Sequence, residues 1–111
     1  MVDTIMNSLN SKLFLSLIQK AAVEWNRHAL ERMLERGISR QEVTDVLLTG
    51  EVIEDYPSDH PYPSFLVYGN PGGKPLHVVV AYDQEHEMLY IITAYCPDTL
   101  HFLDDYRTRR V

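Results

Sequence analysis

The apolar residues of this chain change their spacing near its midpoint. Before Gly50 they recur at every third or fourth position, which is typical of helices with one buried side. Beyond Gly50 they form short runs between turns of proline, glycine and polar residues, which is typical of strands joined by hairpins. A chain of 111 residues is one domain with one core. The pattern therefore predicts an α+β fold in which helices cover one face of a small antiparallel sheet.

The first half of the chain predicts three helices. Their ranges are residues 7–22, 28–36 and 39–49. Gly37 suits the left-handed residue that ends the second helix, while Ser39 and Glu42 form a capping box that begins the third. The residues predicted to face the core are Trp25, Leu30, Met33, Leu34, Val43, Val46 and Leu47.

The second half predicts about four strands. Their ranges are residues 52–56, 65–69, 76–82 and 87–95. Three prolines hold residues 56–64 as an extended loop, and Pro97 stops the last strand. Residues 99–105 are predicted to form one or two helical turns. The single domain, 1–111, thus divides into an N-terminal helix at 1–22, a core at 23–105 and a short basic tail at 106–111.

Strand parity predicts which residues share a face of the sheet. If the last turn pairs Tyr82 with Met88, His77 lies opposite Thr93. Tyr68 and Tyr95 then join the same face, which offers an imidazole beside hydroxyls for acid–base chemistry. The alternative for His77 is a polar residue at a strand start, hydrogen-bonded to water. The opposite, apolar face is predicted to receive the helices, and its members are Phe65, Val67, Val78, Val80, Tyr90 and Ile92.

The second helix carries a row of basic residues. His28, Arg32 and Arg36 are four positions apart, so they form one slanting row that could hold a phosphate. The alternative is a solvated helix face supported by neighbouring glutamates. Both alternatives remain open on this stretch alone.

Composition excludes several classes of protein. With 45% hydrophobic and 23% charged residues the chain is ordinary for a soluble domain, and its longest apolar run is too short to span a membrane. No signal peptide is visible, so a cytoplasmic location is expected. A net charge of −6 argues against broad affinity for nucleic acid. The five histidines lack the spacing of a metal site, so neither metal nor cofactor is predicted, and Cys96 is expected to be a small buried residue.

Four motifs carry a resemblance to a known family. They are HALERMLERGIS at 28–39, GEVIEDYP at 50–57, PLHVV at 75–79 and ITAYCPD at 92–98. Together they resemble the bacterial domain-of-unknown-function 4258 family over residues 23–105. Members of that family are similar in layout to the RelE and MqsR toxins, which place helices on one side of a small antiparallel sheet and cleave RNA.

The resemblance implies a metal-independent endoribonuclease of the toxin–antitoxin type, similar to an mRNA interferase. In such enzymes the 2′-hydroxyl attacks the neighbouring phosphate, which requires a base, an acid and positive charge for the phosphorane. The residues assigned to catalysis are His28, Arg32, Arg36, His77 and Tyr95. Those assigned to substrate binding are Tyr68, Thr93 and Arg107. The implied partners are an RNA substrate and an antitoxin protein, often of a zinc-finger type.

A noncatalytic protein-interaction module is the alternative. In that case the same polar face binds a protein or peptide, and the acidic surface keeps the domain soluble. Geometry distinguishes the two hypotheses. Convergence of His28, His77 and the two arginines on one concave surface favours an enzyme, and divergence favours the module.

Overall fold

The computed structural model describes residues 4–110, and for residues 4–9 the backbone alone. Residues 1–3 of the predicted N-terminal segment and Val111 of the predicted tail lie outside the described residues. The helices are α1 (Thr4–Gln19), α2 (Arg27–Glu35) and α3 (Arg40–Thr49). The strands are β1 (Val23–Trp25), β2 (Glu51–Tyr56), β3 (Ser64–Gly69), β4 (Leu76–Asp83) and β5 (Met88–Tyr95), with a 3₁₀ turn at Pro71–Gly73.

The strands form one mostly antiparallel sheet in the order β1-β5-β4-β3-β2. The four predicted strands are β2 to β5, each antiparallel to the next along the chain. β1 is a fifth, edge strand that runs parallel to β5, with Val23 opposite Leu89. Its three residues are too few to show an alternating pattern, so this strand was not predicted.

The three helices pack on one face of this sheet, as predicted. The buried residues that join the helices to the sheet are Phe14, Leu17, Ala29, Met33, Ile38, Val43, Val46, Leu47, Val52, Val67, Leu76, Val78, Val80, Leu89, Ile91 and Ala94. Among the described residues, no helix has the length and apolar character that crossing a membrane requires.

The predicted rotation of α2 is wrong at Leu34. Met33 is 2% exposed and Leu34 is 83% exposed, while Leu30 and Trp25 are half-buried. The reason lies at the two ends of the helix. Asn26 accepts a hydrogen bond from the Ala29 amide and donates to the Ile91 carbonyl, and the side chain of Arg36 donates to the Ala94 carbonyl. These contacts with β5 turn Ala29 and Met33 inward and leave Leu34 in solvent.

The pairing of β4 with β5 differs from the predicted register at both ends of the two strands. Tyr82 lies opposite Leu89 rather than Met88, which is an offset of one residue that reverses the faces near the turn. Consequently Tyr90 and Ile92 do not belong to the helix-covered face: Tyr90 stacks on Tyr62, and Ile92 is 42% exposed. A bulge in β5 shifts the register between Val79 and Val80 and restores the predicted parity beyond it. The predicted pairing of His77 with Thr93 is nevertheless wrong, because His77 lies opposite Tyr95.

The end of the chain folds as a hairpin rather than as helical turns. Phe102 and Arg109 form an isolated bridge, the Leu103 amide donates to the Thr108 carbonyl at 2.8 Å, and Tyr106 lies in the left-handed region. The Asp98 carboxylate accepts from the amides of Leu100 and His101 and so caps one turn, which does not continue into a helix. The Asp105 carboxylate accepts from the amides of Arg107 and Thr108 at the tip of the hairpin. Cys96 is exposed rather than buried, because it follows the end of β5.

Candidate functional site

The face of the sheet away from the helices carries a row of three aromatic side chains. Tyr68 on β3 lies opposite His77 on β4, which lies opposite Tyr95 on β5. The Tyr68 and Tyr95 rings pack at steep angles to His77, with centroids 5.9 and 5.3 Å from it. Thr93 lies opposite Val79, two residues along β4 from His77. The prediction that these four polar residues share a face is therefore confirmed.

His77 is fully buried and holds a neutral imidazole. Its Nε2 lies 2.6 Å from the Tyr106 carbonyl oxygen, which only accepts, so this nitrogen carries the proton. Its Nδ1 lies 3.3 Å from the Tyr95 hydroxyl and accepts from it. Burial lowers the pKa of His77 and outweighs the opposing effects of the Tyr106 carbonyl and Glu54. The imidazole expected on an open face is thus enclosed in this structure.

Two carboxylates on β2 border the same face. Glu51 lies opposite Tyr68, and Glu54 lies opposite Leu66 in the next row. The Tyr56 hydroxyl donates to Glu54. Hydrogen bonds from Arg109 lower the pKa of Glu54, while burial and the bond to Glu54 raise the pKa of Tyr56 to about 12. Sequence analysis missed both glutamates. Their position in or next to a predicted strand beside the His77 face could have indicated them. The neighbouring residues in the sequence do not identify their cationic partners.

Those cationic partners belong to residues 98–110, which we call the C-terminal segment. Arg107 binds Glu51 and stacks over the Tyr68 ring, 4.9 Å from its centroid. Arg109 binds Glu54 through two hydrogen bonds of 3.0 Å and lies over Phe102. The predicted basic tail is therefore folded back onto acidic residues of β2.

Phe102 completes the enclosure of His77. Its side chain is 3% exposed and its ring stands perpendicular to the imidazole, with centroids 4.6 Å apart. Arg107 lies on the outer surface beside two cavities, of about 340 and 400 Å³, which it lines together with Glu51. Of the predicted substrate-binding residues, Tyr68 and Arg107 both line the cavity of about 340 Å³, and Arg107 also lines the cavity of about 400 Å³.

The predicted row on α2 meets the sheet at one residue. Arg36 donates from Nη1 to the Thr93 hydroxyl at 3.2 Å and to the Ala94 carbonyl at 2.9 Å, next to Tyr95. Arg32 pairs with Glu35 at 3.0 Å on the exposed side of the helix. His28 is exposed and forms no hydrogen bond or ion pair with any residue that the structure describes. The structure therefore brings Arg36, Thr93, Tyr95, His77 and Tyr68 together.

Titratable side chains elsewhere do not assemble into a metal site. Across residues 4–110, no group of three or more histidine, cysteine, aspartate or glutamate side chains could hold a metal ion. Asp83 receives a hydrogen bond from His86, and Asp98 receives one from His101, each within a single turn. Neither pair is joined by a third ligand among these residues.

Comparison with known proteins identifies the family. Residues 25–96 match the family described as Domain of unknown function (DUF4258). The chain belongs to this family. The DUF4258 match includes the aromatic row and Arg36, and it ends before the C-terminal segment. No curated protein and no solved structure matches the chain, so the likeness to RelE and MqsR toxins stays a prediction.

Proposed function

We propose that this protein is a metal-independent endoribonuclease, the toxin of a toxin–antitoxin pair. The observation that carries the proposal is the grouping of His77, Tyr95 and Arg36 at one end of a sheet face. A neutral imidazole, a phenol and a guanidinium are the groups that this reaction needs. The overall layout, with helices on one face of a small antiparallel sheet, agrees with that of the toxins that the sequence resembles.

The proposed reaction begins with the 2′-hydroxyl of one nucleotide. His77 accepts its proton as the oxygen attacks the adjacent phosphorus, and Glu54 stabilises the imidazolium through its negative charge. The bond from phosphorus to the 5′-oxygen breaks, and Tyr95 donates a proton to that oxygen. The products are a 2′,3′-cyclic phosphate and a 5′-hydroxyl. Burial raises the pKa of Tyr95, so the phenol is protonated near neutral pH and gives up its proton only to the strongly basic 5′-oxygen of the leaving group.

The remaining residues bind the substrate in this proposal. Arg36 stabilises the charge of the phosphorane, since its guanidinium lies beside Thr93 and needs little reorganisation to meet a phosphate. Tyr68 offers a ring for base stacking, and Arg107 beside it offers a charge for the RNA backbone. The proposed protein partner is an antitoxin, often of a zinc-finger type in systems that the sequence resembles.

The test is incubation of the purified protein with labelled single-stranded RNA in the presence of a chelator. We expect fragments that end in a 2′,3′-cyclic phosphate. Arg36→Ala should lower the rate by about 10²-fold or more, because it removes charge stabilisation from the phosphorane. Arg27→Ala is the matched control, since Arg27 is an exposed arginine of the same helix, paired with Glu31. His28→Ala and Arg32→Ala determine whether the other two members of the row act in the site.

A noncatalytic interaction module is the second candidate, and two observations favour it. His28 and Arg32 lie on the exposed side of α2 and do not converge on His77. His77 is fully buried and both of its ring nitrogens are hydrogen-bonded, which is also how a structural histidine is held. Absence of both cleavage and RNA affinity at low salt would contradict the ribonuclease and support the module. Cleavage that survives Arg36→Ala, His77→Gln and Tyr95→Phe would place the activity elsewhere.

A further inference from the structure

We propose that the C-terminal segment is a hinged cover, which closes over His77 and Glu54 in the form described here and swings away as one unit to expose them. The cover would control access to the acid–base groups of the sheet. Its role as a control of cleavage rests on the proposed function. The opening itself is a property of the fold and is measurable without RNA.

The C-terminal segment contacts the groups that the proposed site uses. The Tyr106 carbonyl accepts a hydrogen bond from the proton-bearing nitrogen of His77, and the Phe102 ring covers the imidazole. The guanidinium of Arg109 donates a hydrogen bond to each carboxylate oxygen of Glu54. His77 is 0% exposed, so a substrate reaches its imidazole only when the segment that covers it leaves.

The segment is built to move as one body. Its backbone hydrogen bonds run within itself: Phe102 to Asp98, Leu103 to Thr108, Tyr106 to Leu103 and Arg110 to His101. The Asp105 carboxylate adds three bonds inside the turn, to the amides of Arg107 and Thr108 and to the Thr108 hydroxyl. A unit whose backbone-to-backbone hydrogen bonds are internal can leave its neighbours without unfolding.

The attachment of the segment to the sheet is made of separable contacts. Within the described residues, no backbone ladder joins it to any of the five strands, and the bridge between Phe102 and Arg109 lies inside the segment. The ion pair between Arg107 and Glu51 is half-exposed, and pairs of this kind contribute little to stability. Arg109 binds the less exposed Glu54 through two hydrogen bonds, so this pair is the stronger of the two attachments. Phe102 is the one deeply buried side chain among residues 98–110. Pro97, which is buried at the end of β5, marks the fixed side of the hinge.

The test measures how fast diethylpyrocarbonate modifies each histidine of the full chain, read by mass spectrometry of the peptides. His28 is the internal standard, because it is exposed and no described residue binds it. We expect His77 in the parent chain to react at least about tenfold more slowly than His28. Arg107→Glu places a carboxylate against Glu51, so it should raise the relative rate at His77 by about fivefold or more.

Three further variants isolate the effect of the cover. Glu51→Arg combined with Arg107→Glu restores the ion pair with the charges exchanged, and it should return His77 to the slow rate. Arg27→Glu makes the same change of charge on α2 and should leave the rate unchanged. Phe102→Ala should raise the rate by removing the ring that covers the imidazole. Arg107→Gln replaces Arg107→Glu if circular dichroism shows that the latter does not fold.

The outcomes separate this inference from the proposed function. If His77 of the parent chain reacts as fast as His28, the proposal of a cover is wrong. It is also wrong if His77 stays protected when both Arg107 and Phe102 are replaced. Opening of His77 by Arg107→Glu without RNA cleavage by any variant supports the cover and contradicts the ribonuclease. RNA cleavage by the parent, together with an unchanged rate of His77 modification in the variants, supports the ribonuclease and contradicts the cover.

Discussion

At the scale of single residues, chemical similarity says little about the role that a side chain plays here. Met33 and Leu34 are adjacent apolar residues on α2, and one lies in the core while the other lies in solvent. Arg32 and Arg36 are four residues apart on the same row, and one pairs with a glutamate while the other binds β5. Direction around the helix axis decides these differences, and tertiary contacts set that direction.

The adjacent pair on α2 gives a direct test of its rotation. Met33→Ala should lower the free energy of unfolding by about 2–5 kcal/mol, because it leaves a cavity beneath the helix. Leu34→Ala should change it by no more than about 0.5 kcal/mol, because the side chain is already in solvent. Urea denaturation of the two variants measures both values. A loss at Leu34 as large as that at Met33 would show that the helix is rotated as the sequence suggested.

At the scale of elements, short-range hydrogen bonds determine where the helices begin and end. The α2 helix ends in a Schellman motif: the Ile38 amide donates to the Met33 carbonyl and the Gly37 amide to the Leu34 carbonyl, with Gly37 at φ +67°. The α3 helix begins with the predicted capping box of Ser39 and Glu42. At the start of α2, Asn26 combines a cap with a bond to the sheet.

Asn26 therefore allows the cap and the tertiary bond to be separated. Asn26→Ala removes both and should lower the free energy of unfolding by about 1 kcal/mol or somewhat more. Asn26→Asp keeps the oxygen that accepts from the Ala29 amide, so it should recover most of the loss. Thermal unfolding of the two variants measures the difference. Equal destabilisation would mean that the bond to the Ile91 carbonyl, rather than the cap, dominates.

At the scale of the whole molecule, stability should depend on pH through the enclosed imidazole. The folded protein holds His77 with a pKa below the ordinary value of 6.5. Between the lowered pKa of the folded protein and the ordinary value, the unfolded chain binds a proton that the folded protein does not. Stability therefore falls as the pH falls through this window. Above pH 6.5 the contribution is complete. Glu54 acts separately, because its lowered pKa makes stability fall only below about pH 4.5.

The comparison of the parent with His77→Gln isolates this effect. The parent should lose stability between about pH 7 and pH 5, and the variant should show a shallower slope over the same range. Urea denaturation at several pH values measures the two slopes, and the other four histidines are common to both proteins. Parallel slopes would contradict a buried neutral imidazole at position 77.

The sequence by itself determined the elements of this protein. Helical spacing, the capping box and Gly37 predicted the helices, since these signals depend on neighbours in the chain. Alternation and turn residues predicted the four longer strands and the shared face of Tyr68, His77, Thr93 and Tyr95 for the same reason. The short parallel strand β1 and the bulge in β5 had no such local signal. Each exists because a distant segment pairs with it.

Only the tertiary structure decided how these elements meet. Arg36 contacts Thr93 across 57 positions in sequence, and Arg109 contacts Glu54 across 55. The residues around each arginine in the sequence do not identify its partner, because ion pairs and hydrogen bonds between side chains depend on distance in space and not on separation along the chain. The enclosure of His77 by Phe102 and Tyr106 has the same origin. The sequence thus placed an imidazole on a sheet face, and the return of the chain over that face decided that it is covered.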